Sequence, residues 1–314
     1  MGEDRQHVPV LLQPALAALD LAEDAIVIDA TYGRGGHSRA ILERLGPRGR
    51  LMTVDQDPDA VADARQQFGA DPRVTICHAS FAELERLAEE QGVHGRVSAL
   101  LMDLGVSSPQ LDTPERGFSF REDGPLDMRM DTSRGEPASA WLAYVDEDEL
   151  TRVIREYGEE RYARRIARNI VKSRVEQAIT GTARLAAVVA AAAGPSPPDR
   201  HPATRTFQAI RIHINDELGA LERALAAGVE VLAPGGRFVV ISFHSLEDRR
   251  VKQAWSGLAK PPAGSRRMPV AATFRPRLRL IGKLVRPDLH ECAANPRARS
   301  ARLRVAEKLA ETAT

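Results

Sequence analysis

Long apolar runs are missing from this 314-residue chain. The longest, the alanine-rich Leu185–Ala193, falls well short of the ~18–20 residues a membrane-crossing helix needs, so no membrane partner is expected. Cysteine is nearly absent: Cys77 and Cys292 stand alone, which excludes a disulfide framework and points to a reducing compartment. No pair of histidines and carboxylates has metal-ligand spacing, so no metal is expected. Met1–Arg5 lacks the basic-then-apolar pattern of a signal peptide, and Gln6 departs from a myristoylation motif. A cytoplasmic location follows as the expectation. Aromatic residues make up only 4%, and no repeat is visible. Nor does one sign of charge prevail, because the net charge is +1.

What is present is an ample hydrophobic fraction, 43% against 28% charged, and a length suited to one large α/β domain with an insertion or to two domains. The charges are also segregated. Lys260 to Arg304 holds twelve Lys/Arg against Asp288 and Glu291, whereas residues 1–259 carry 31 basic and 39 acidic residues. A basic run on an acidic body suits a polyanion, and equally suits a solvated arm.

The most informative stretch runs from an apolar strand, Ala25–Ala30, into Thr31-Tyr32-Gly33-Arg34-Gly35-Gly36-His37-Ser38, with a helix expected after Gly36. A second strand, Arg50–Asp55, ends on an acid. This is the opening of a doubly wound α/β domain. Its glycine turn lets backbone approach an anion at a helix N-terminus, and its acid can accept ribose hydroxyls. A ligand containing adenosine is expected. The pyrophosphate pattern G-x-G-x-x-G fails at Ser38, which favours S-adenosylmethionine (SAM), with its smaller carboxylate, over a nicotinamide dinucleotide.

Further strands are expected at Val74–His78 and Val97–Asp103, with helices from Pro58 and near Phe81–Leu84. From Gly105 to Gly135 the chain is polar and turn-rich, and a loop so long is usually functional. Helices without strands follow at Asp146–Tyr157, Glu159–Val175 and Ala183–Ala193, then a proline-rich return at Pro195–Pro202. In the second of these, Arg161, Arg164, Arg165, Arg168 and Lys172 form one stripe opposite Tyr162, Ile166 and Ile170. The α/β pattern resumes with a helix over Thr204–Leu225, a turn at Leu232–Gly236 and a strand at Arg237–Ser242. Leu278–Val285 and Arg302–Ala306 form a closing antiparallel pair. The expected architecture is a Rossmann-like sheet formed by residues 1–111 and 206–314, interrupted by a helical insertion at 112–205.

In such sheets the ligand lies beyond the carboxyl ends of the strands. The Gly33–His37 loop, Asp55, Ser80-Phe81, Asp103 with Ser107-Ser108-Pro109-Gln110, and Phe243-His244 fall there. Phe81 is a candidate to stack on adenine, and His244 is either a substrate contact or a structural strand-end histidine. Asp103-Leu104-Gly105-Val106-Ser107-Ser108-Pro109-Gln110 resembles the [DNS]-P-P-[YFW] loop of amine methyltransferases, with one proline of the two.

Several longer motifs carry a more specific likeness. They are His7–Leu12, Ile28–Ser38 (IDATYGRGGHS), Leu101–Asp131 (LMDLGVSSPQLDTPERGFSFREDGPLDMRMD), Tyr157–Val171, His201–Asn215, Ile241–Asp248 (ISFHSLED) and Asn295–Ala301. Through them the chain resembles the bacterial 16S rRNA cytosine-N4 methyltransferase (MraW) family along nearly its full length, although Gln13-Pro14 departs from the acidic pair expected after Val10-Leu11-Leu12. The resemblance implies a class I SAM-dependent methyltransferase with a helical insertion for RNA recognition, acting on a cytosine amine in the decoding region of 16S rRNA or the small ribosomal subunit. It places SAM contacts on Gly35, Gly36, His37, Asp55, Phe81, Asp103 and Gln110. The oligomeric state stays open, a homodimer included.

A cytosine amine is a poor nucleophile because its lone pair is delocalised into the ring. A site must align it with the methyl and accept its N–H. Asp103 and the Ser107–Gln110 loop, including Ser108 and Pro109, are the candidate catalytic residues. The base must also leave its stack, and Phe118 and Phe120 are either stacking partners or ordinary loop packing. The Arg161–Lys172 stripe and the Lys260–Arg304 run are candidate phosphate contacts. An oxidoreductase, a DNA cytosine-N4 methyltransferase and a non-catalytic SAM-sensing RNA-binding protein remain as alternatives.

Overall fold

The computed structural model describes residues 9–194, 197, 201–261 and 274–310. His7, Val8, the Met1–Gln6 segment, most of the Pro195–Pro202 return and Arg266 and Arg267 lie outside the described residues. The chain divides into two compact units, residues 1–105 with 218–314, and 106–217.

In the first unit the strands are β1 (Ile26–Asp29), β2 (Arg50–Asp55), β3 (Val74–His78), β4 (Val97–Asp103), β5 (Leu232–Ser242), β6 (Leu278–Val285) and β7 (Arg302–Lys308). They form one seven-stranded sheet in the order β3-β2-β1-β4-β5-β7-β6. β1 to β5 are parallel, and β7 runs antiparallel to both β5 and β6. Strand order reverses between β1 and β4, which makes their carboxyl ends the natural ligand crevice. This mixed α/β sheet is the class I methyltransferase architecture expected from the sequence.

Both sheet faces are covered, so the central strands are mostly apolar, with polar residues such as Asp29, Asp103 and Ser242 at their ends. Leu100, Met102, Phe238 and Val240 point to one face with Leu221 and Trp255. Their neighbours Leu101, Val239 and Ile241 point to the other with Leu16 and Ile41. This strict alternation along β4 and β5 is what the two-residue period of a strand produces. Phe238 and Trp255, both essentially inaccessible, meet with ring centroids 5.2 Å apart.

Two expectations about β5 and its preceding helix need correction. The Leu232–Gly236 turn is instead a bulged start of β5: Val97 pairs with Leu232 and Ala99 with Arg237, and Gly235 adopts a φ of +81° to take up the excess residues. Thr204–Leu225 is not one helix but two, Thr204–Ile214 and Glu217–Val231. They part at Asp216, whose φ is +46°.

The second unit is helical: Ala138–Tyr144, Glu147–Gly158, Ala163–Glu176, Thr182–Ala192 and Thr204–Ile214. Leu126, Trp141, Leu150, Ile154, Ile166, Leu185 and Phe207 share its core. It extends beyond the expected 112–205 at both ends. Thr204–Ile214 packs on Glu147–Gly158, and Asn215 accepts from the Met130 N–H at 2.6 Å while donating to the Met128 carbonyl at 2.8 Å. The long polar segment is thus held by hydrogen bonds. Pro125 bridges Gly181, and the Leu126 N–H donates to the Thr180 carbonyl at 2.8 Å.

Candidate functional site

The first unit's strand ends carry three aspartates. Asp29, ending β1, is fully buried and accepts from the Ser38 hydroxyl at 2.7 Å and the Thr31 N–H at 3.2 Å. Burial raises its pKa against the pull of these donors. Ser38 therefore stands at the third glycine position because its hydroxyl satisfies a buried carboxylate. Thr31 in turn accepts from the Asp103 N–H at 2.6 Å, tying the end of β1 to the end of β4.

Asp55, ending β2, folds the glycine turn around itself. Its Oδ2 accepts from the Gly33 N–H at 2.8 Å and its Oδ1 from the Asp57 N–H at 2.9 Å. Burial pushes its pKa up to about 6, with those N–H groups opposing. Each carboxylate oxygen retains a second lone-pair site, so two ribose hydroxyls still fit the donor set. Gly35 and Gly36 are required by protein atoms. A Cβ on Gly35, whose φ is +70°, would lie 2.6–2.8 Å from the Tyr32 ring, and one on Gly36 only 2.2 Å from Pro9 Cγ. The Tyr32 hydroxyl donates to Asp63 at 2.7 Å.

At the crevice itself, His37 Nε2 faces Asp103 Oδ2 at 3.5 Å. Burial alone would depress the His37 pKa, but the carboxylates of Asp103 and Asp29 outweigh it and the net shift is upward. Asp103 Oδ1 is buried without a hydrogen-bond partner among the described residues. Unsatisfied buried polar atoms at strand ends are what a site lined for a polar ligand leaves behind. Phe81, half-buried against the core, begins a short 3₁₀ turn capped by Ser80 and Glu83. Strand ends, acids and half-buried ring fit an adenosine-based cofactor.

A family model for the MraW methylase family matches residues 4–309. The chain belongs to that family. "Ribosomal RNA small subunit methyltransferase H" of Xylella fastidiosa strain M12 is 54% identical over 308 residues, covering 96% of this chain and 97% of its own. The protein of that name from Halorhodospira halophila is 55% identical over 309 residues, covering 96% and 94%. Among solved structures, an rRNA methylase from Streptococcus thermophilus overlaps 95% of this chain and 94% of its own at 12% identity and a TM-score of 0.41.

Within this family member, the other sequence-singled residues fall as follows. Gly35, Gly36, His37, Asp55, Phe81 and Asp103 all lie in the first unit, at the glycine turn, the strand ends and the turn after β3. Ser107, Ser108, Pro109 and Gln110 open the second unit: Ser107 caps the helix Ser108–Asp112, and the Gln110 side-chain oxygen accepts from the Ser107 N–H at 2.9 Å. The S-x-x-Q spacing is a capping-box signal readable in the sequence. His244 is likewise a cap. Its Nδ1 accepts from the Glu247 N–H at 3.4 Å, and Glu247 accepts from the Phe243 and His244 N–H groups at 2.8 and 3.1 Å.

The stacking role of Phe118 and Phe120 gives way to packing. Phe118 is buried, and Phe120 lies 4.7 Å from both the His201 and Phe207 rings. The basic run is also not a free arm, because much of it folds as β6 and β7. Arg277 reaches both oxygens of Glu230 at 2.8 Å, Arg279 reaches Glu307 at 2.6 Å, and Arg302 and Arg304 converge on Asp248 at 2.8 and 2.6 Å. No helix among the described residues is long and apolar enough to cross a membrane. Asp29 is legible in the sequence as the acid that introduces the glycine loop, but Thr31 is not, since its role is a hydrogen bond to Asp103, distant in the chain.

Proposed function

We propose that the chain transfers a methyl group from SAM to the exocyclic N4 amine of a cytosine in the decoding region of 16S rRNA. The observation that carries the chemistry is Asp103, whose Oδ1 is buried at the end of β4 with no partner among the described residues. Membership in a methylase family, with near-full-length relatives named for small-subunit rRNA, supports the substrate.

When bound, SAM supplies an electrophilic methyl on a sulfonium. Asp55 would accept the ribose hydroxyls, while its backbone donors at Gly33 and Asp57 hold the carboxylate in place. Gly36 and His37 would present backbone N–H groups at the start of the helix Gly36–Leu42 to the cofactor's carboxylate, with Gly35, whose own N–H is bound to the Tyr32 carbonyl at 2.8 Å, shaping the turn, and Phe81 would lie against adenine. By the family resemblance, Gln110 is a further cofactor contact and Ser108 and Pro109 are further candidate catalytic residues. Asp103 would accept an amine N–H at Oδ1, drawing the nitrogen lone pair out of conjugation, and would take up that proton as the nitrogen–methyl bond forms and the sulfur–methyl bond breaks to leave a neutral thioether. His37, charged more readily than an ordinary histidine, stands 3.5 Å from Asp103 Oδ2 and holds that carboxylate in place. Residues 112–205 act as the RNA-recognition insertion.

Mass-spectrometric mapping of 16S rRNA from cells with and without the gene tests this reading. An N4-methylated cytidine in the decoding region is expected to vanish on deletion and return on complementation. An unchanged modification map would refute it. Purified protein with labelled SAM should then modify small subunits or 16S rRNA and leave duplex DNA unlabelled.

A further inference from the structure

We propose that the phosphate-binding surface of the second unit is the exposed basic face of the helix Ala163–Glu176, and that the C-terminal basic segment is mainly structural. This deepens the rRNA reading and rests on it. The sequence offers two basic regions of equal promise, and the structure separates them by what each cation already touches.

In the C-terminal segment Arg277, Arg279, Arg302 and Arg304 are bound to buried or half-buried acids within 2.6–2.8 Å. They join β6, β7 and their flanking helices, and each is matched at close range by a carboxylate, including Arg279, whose side chain is 61% exposed. The helix face differs. Arg164 and Arg168 side chains are 68% and 67% exposed, and both share one carboxylate, Glu147, at the long distances of 3.9 and 3.5 Å. Lys172 is exposed, with no carboxylate in ion-pair range among the described residues. Arg161 and Arg165 hold the half-buried Tyr162 ring at 5.3 and 4.9 Å, and Arg165 also donates through Nε to the Ala192 carbonyl. These contacts order two guanidiniums on residues that stay exposed.

The cations recur at i, i+4 and i+8 from Arg164, so they span about 12 Å along one line. Buried Ile166 and Ile170 fix the opposite face in the core, so the stripe cannot turn away from solvent. A line of exposed, repelling cations complements a chain of phosphates, and Arg's fork matches phosphate oxygens two at a time. An acidic protein surface is the competing partner, and the test must separate it from RNA.

Fluorescence anisotropy with the full-length protein and a fluorescein-labelled 20-nucleotide RNA of mixed sequence, titrated across 50–200 mM salt, reads this directly. Each single-strand phosphate contact contributes about 0.7 to the salt slope. The triple variant Arg164→Gln, Arg168→Gln, Lys172→Gln should lower the slope by about 2 and weaken binding roughly tenfold or more at low salt, with SAM affinity unchanged. Lys283→Gln, Arg286→Gln, Arg299→Gln, made on exposed cations of the other region, should shift the slope by less than about half a unit. Glu147→Gln should strengthen RNA binding, a gain that a merely structural role does not produce. Equal slopes for the wild type and the helix triple would overturn the proposal. So would loss of activity on assembled small subunits together with full activity and binding on naked 16S rRNA, which would assign the face to a protein. If wild-type protein binds the probe through this face yet methylates no RNA, the rRNA methylation reading fails and the surface stands.

Discussion

Asp55 should make cofactor affinity depend on pH with a definite sign. Burial holds its pKa near 6, against an ordinary 3.8. At neutral pH the free protein therefore keeps a carboxylate ionised at a cost of roughly 3 kcal/mol, the equivalent of that shift. The folded state binds more protons than the unfolded state between those two values, so this group's contribution to stability falls as pH rises from about 4 to about 6. Ribose hydroxyls donating to Asp55 stabilise the ionised form and recover part of that cost. SAM should then bind more tightly as pH rises through 6 and level off above 7. With the complex ionised throughout, affinity at pH 5 should be about tenfold weaker than at pH 7, or about 1.4 kcal/mol. Isothermal titration calorimetry from pH 5 to 7.5 measures this. His37 also gains a proton as pH falls, so Asp55→Asn is the necessary control. That variant should bind about 10–150-fold more weakly at pH 7.5, the loss of 1.5–3 kcal/mol typical of hydrogen bonds to a charged group. It should also lose most of the pH dependence. A flat wild-type profile, or a slope undiminished in Asp55→Asn, would refute the assignment.

Asp103→Asn should reduce single-turnover methyl transfer at least ~10²-fold at saturating SAM and RNA, and recovery of wild-type turnover at saturation would confine Asp103 to cofactor binding. Ser38→Ala removes a donor from the buried Asp29 carboxylate and should cost about 1.5–3 kcal/mol in denaturant unfolding, whereas an unchanged midpoint would mean the turn reorganises freely. Gly36→Ala forces a methyl to within 2.2 Å of Pro9 Cγ, so the segment around Pro9 should be cut faster in limited proteolysis. An unaltered digestion pattern would show that Pro9 does not seal this turn.

Local pattern was enough wherever an apolar run met an abrupt polar or glycine boundary. Arg50–Asp55, Val74–His78, Val97–Asp103 and Leu278–Val285 have the same ends in the sequence reading and in the structure. It failed where tertiary contacts decide. In Thr204–Leu225 the turn-forming pair Asn215-Asp216 is the only local mark of a break, and what makes it one is Asn215 hydrogen-bonding the Met128–Met130 backbone far away in the chain. Leu232–Gly236 carries every local sign of a turn, yet pairing with β4 draws it into the sheet as a bulge. At the candidate site the strand-end acids were legible from topology alone. Their partners were not: Thr31 to Asp103 and Gly33 to Asp55 become neighbours only once β1, β2 and β4 lie side by side.

The order in which the strands leave the ribosome bears on how this sheet closes. β1 to β4 are made first, but β4 pairs on one side with β5, and all of residues 106–217 are synthesised in between. At 5–20 residues per second that delay is on the order of ten seconds. Throughout it, the edge of β4 bearing Leu100, Leu101 and Met102, wholly inaccessible in the finished fold, has no strand beside it. The helical unit is contiguous in sequence and has its own core, whereas the first unit must wait for its second segment. Nascent chains halted between Gly105 and Leu232 should therefore be the ones most dependent on chaperones.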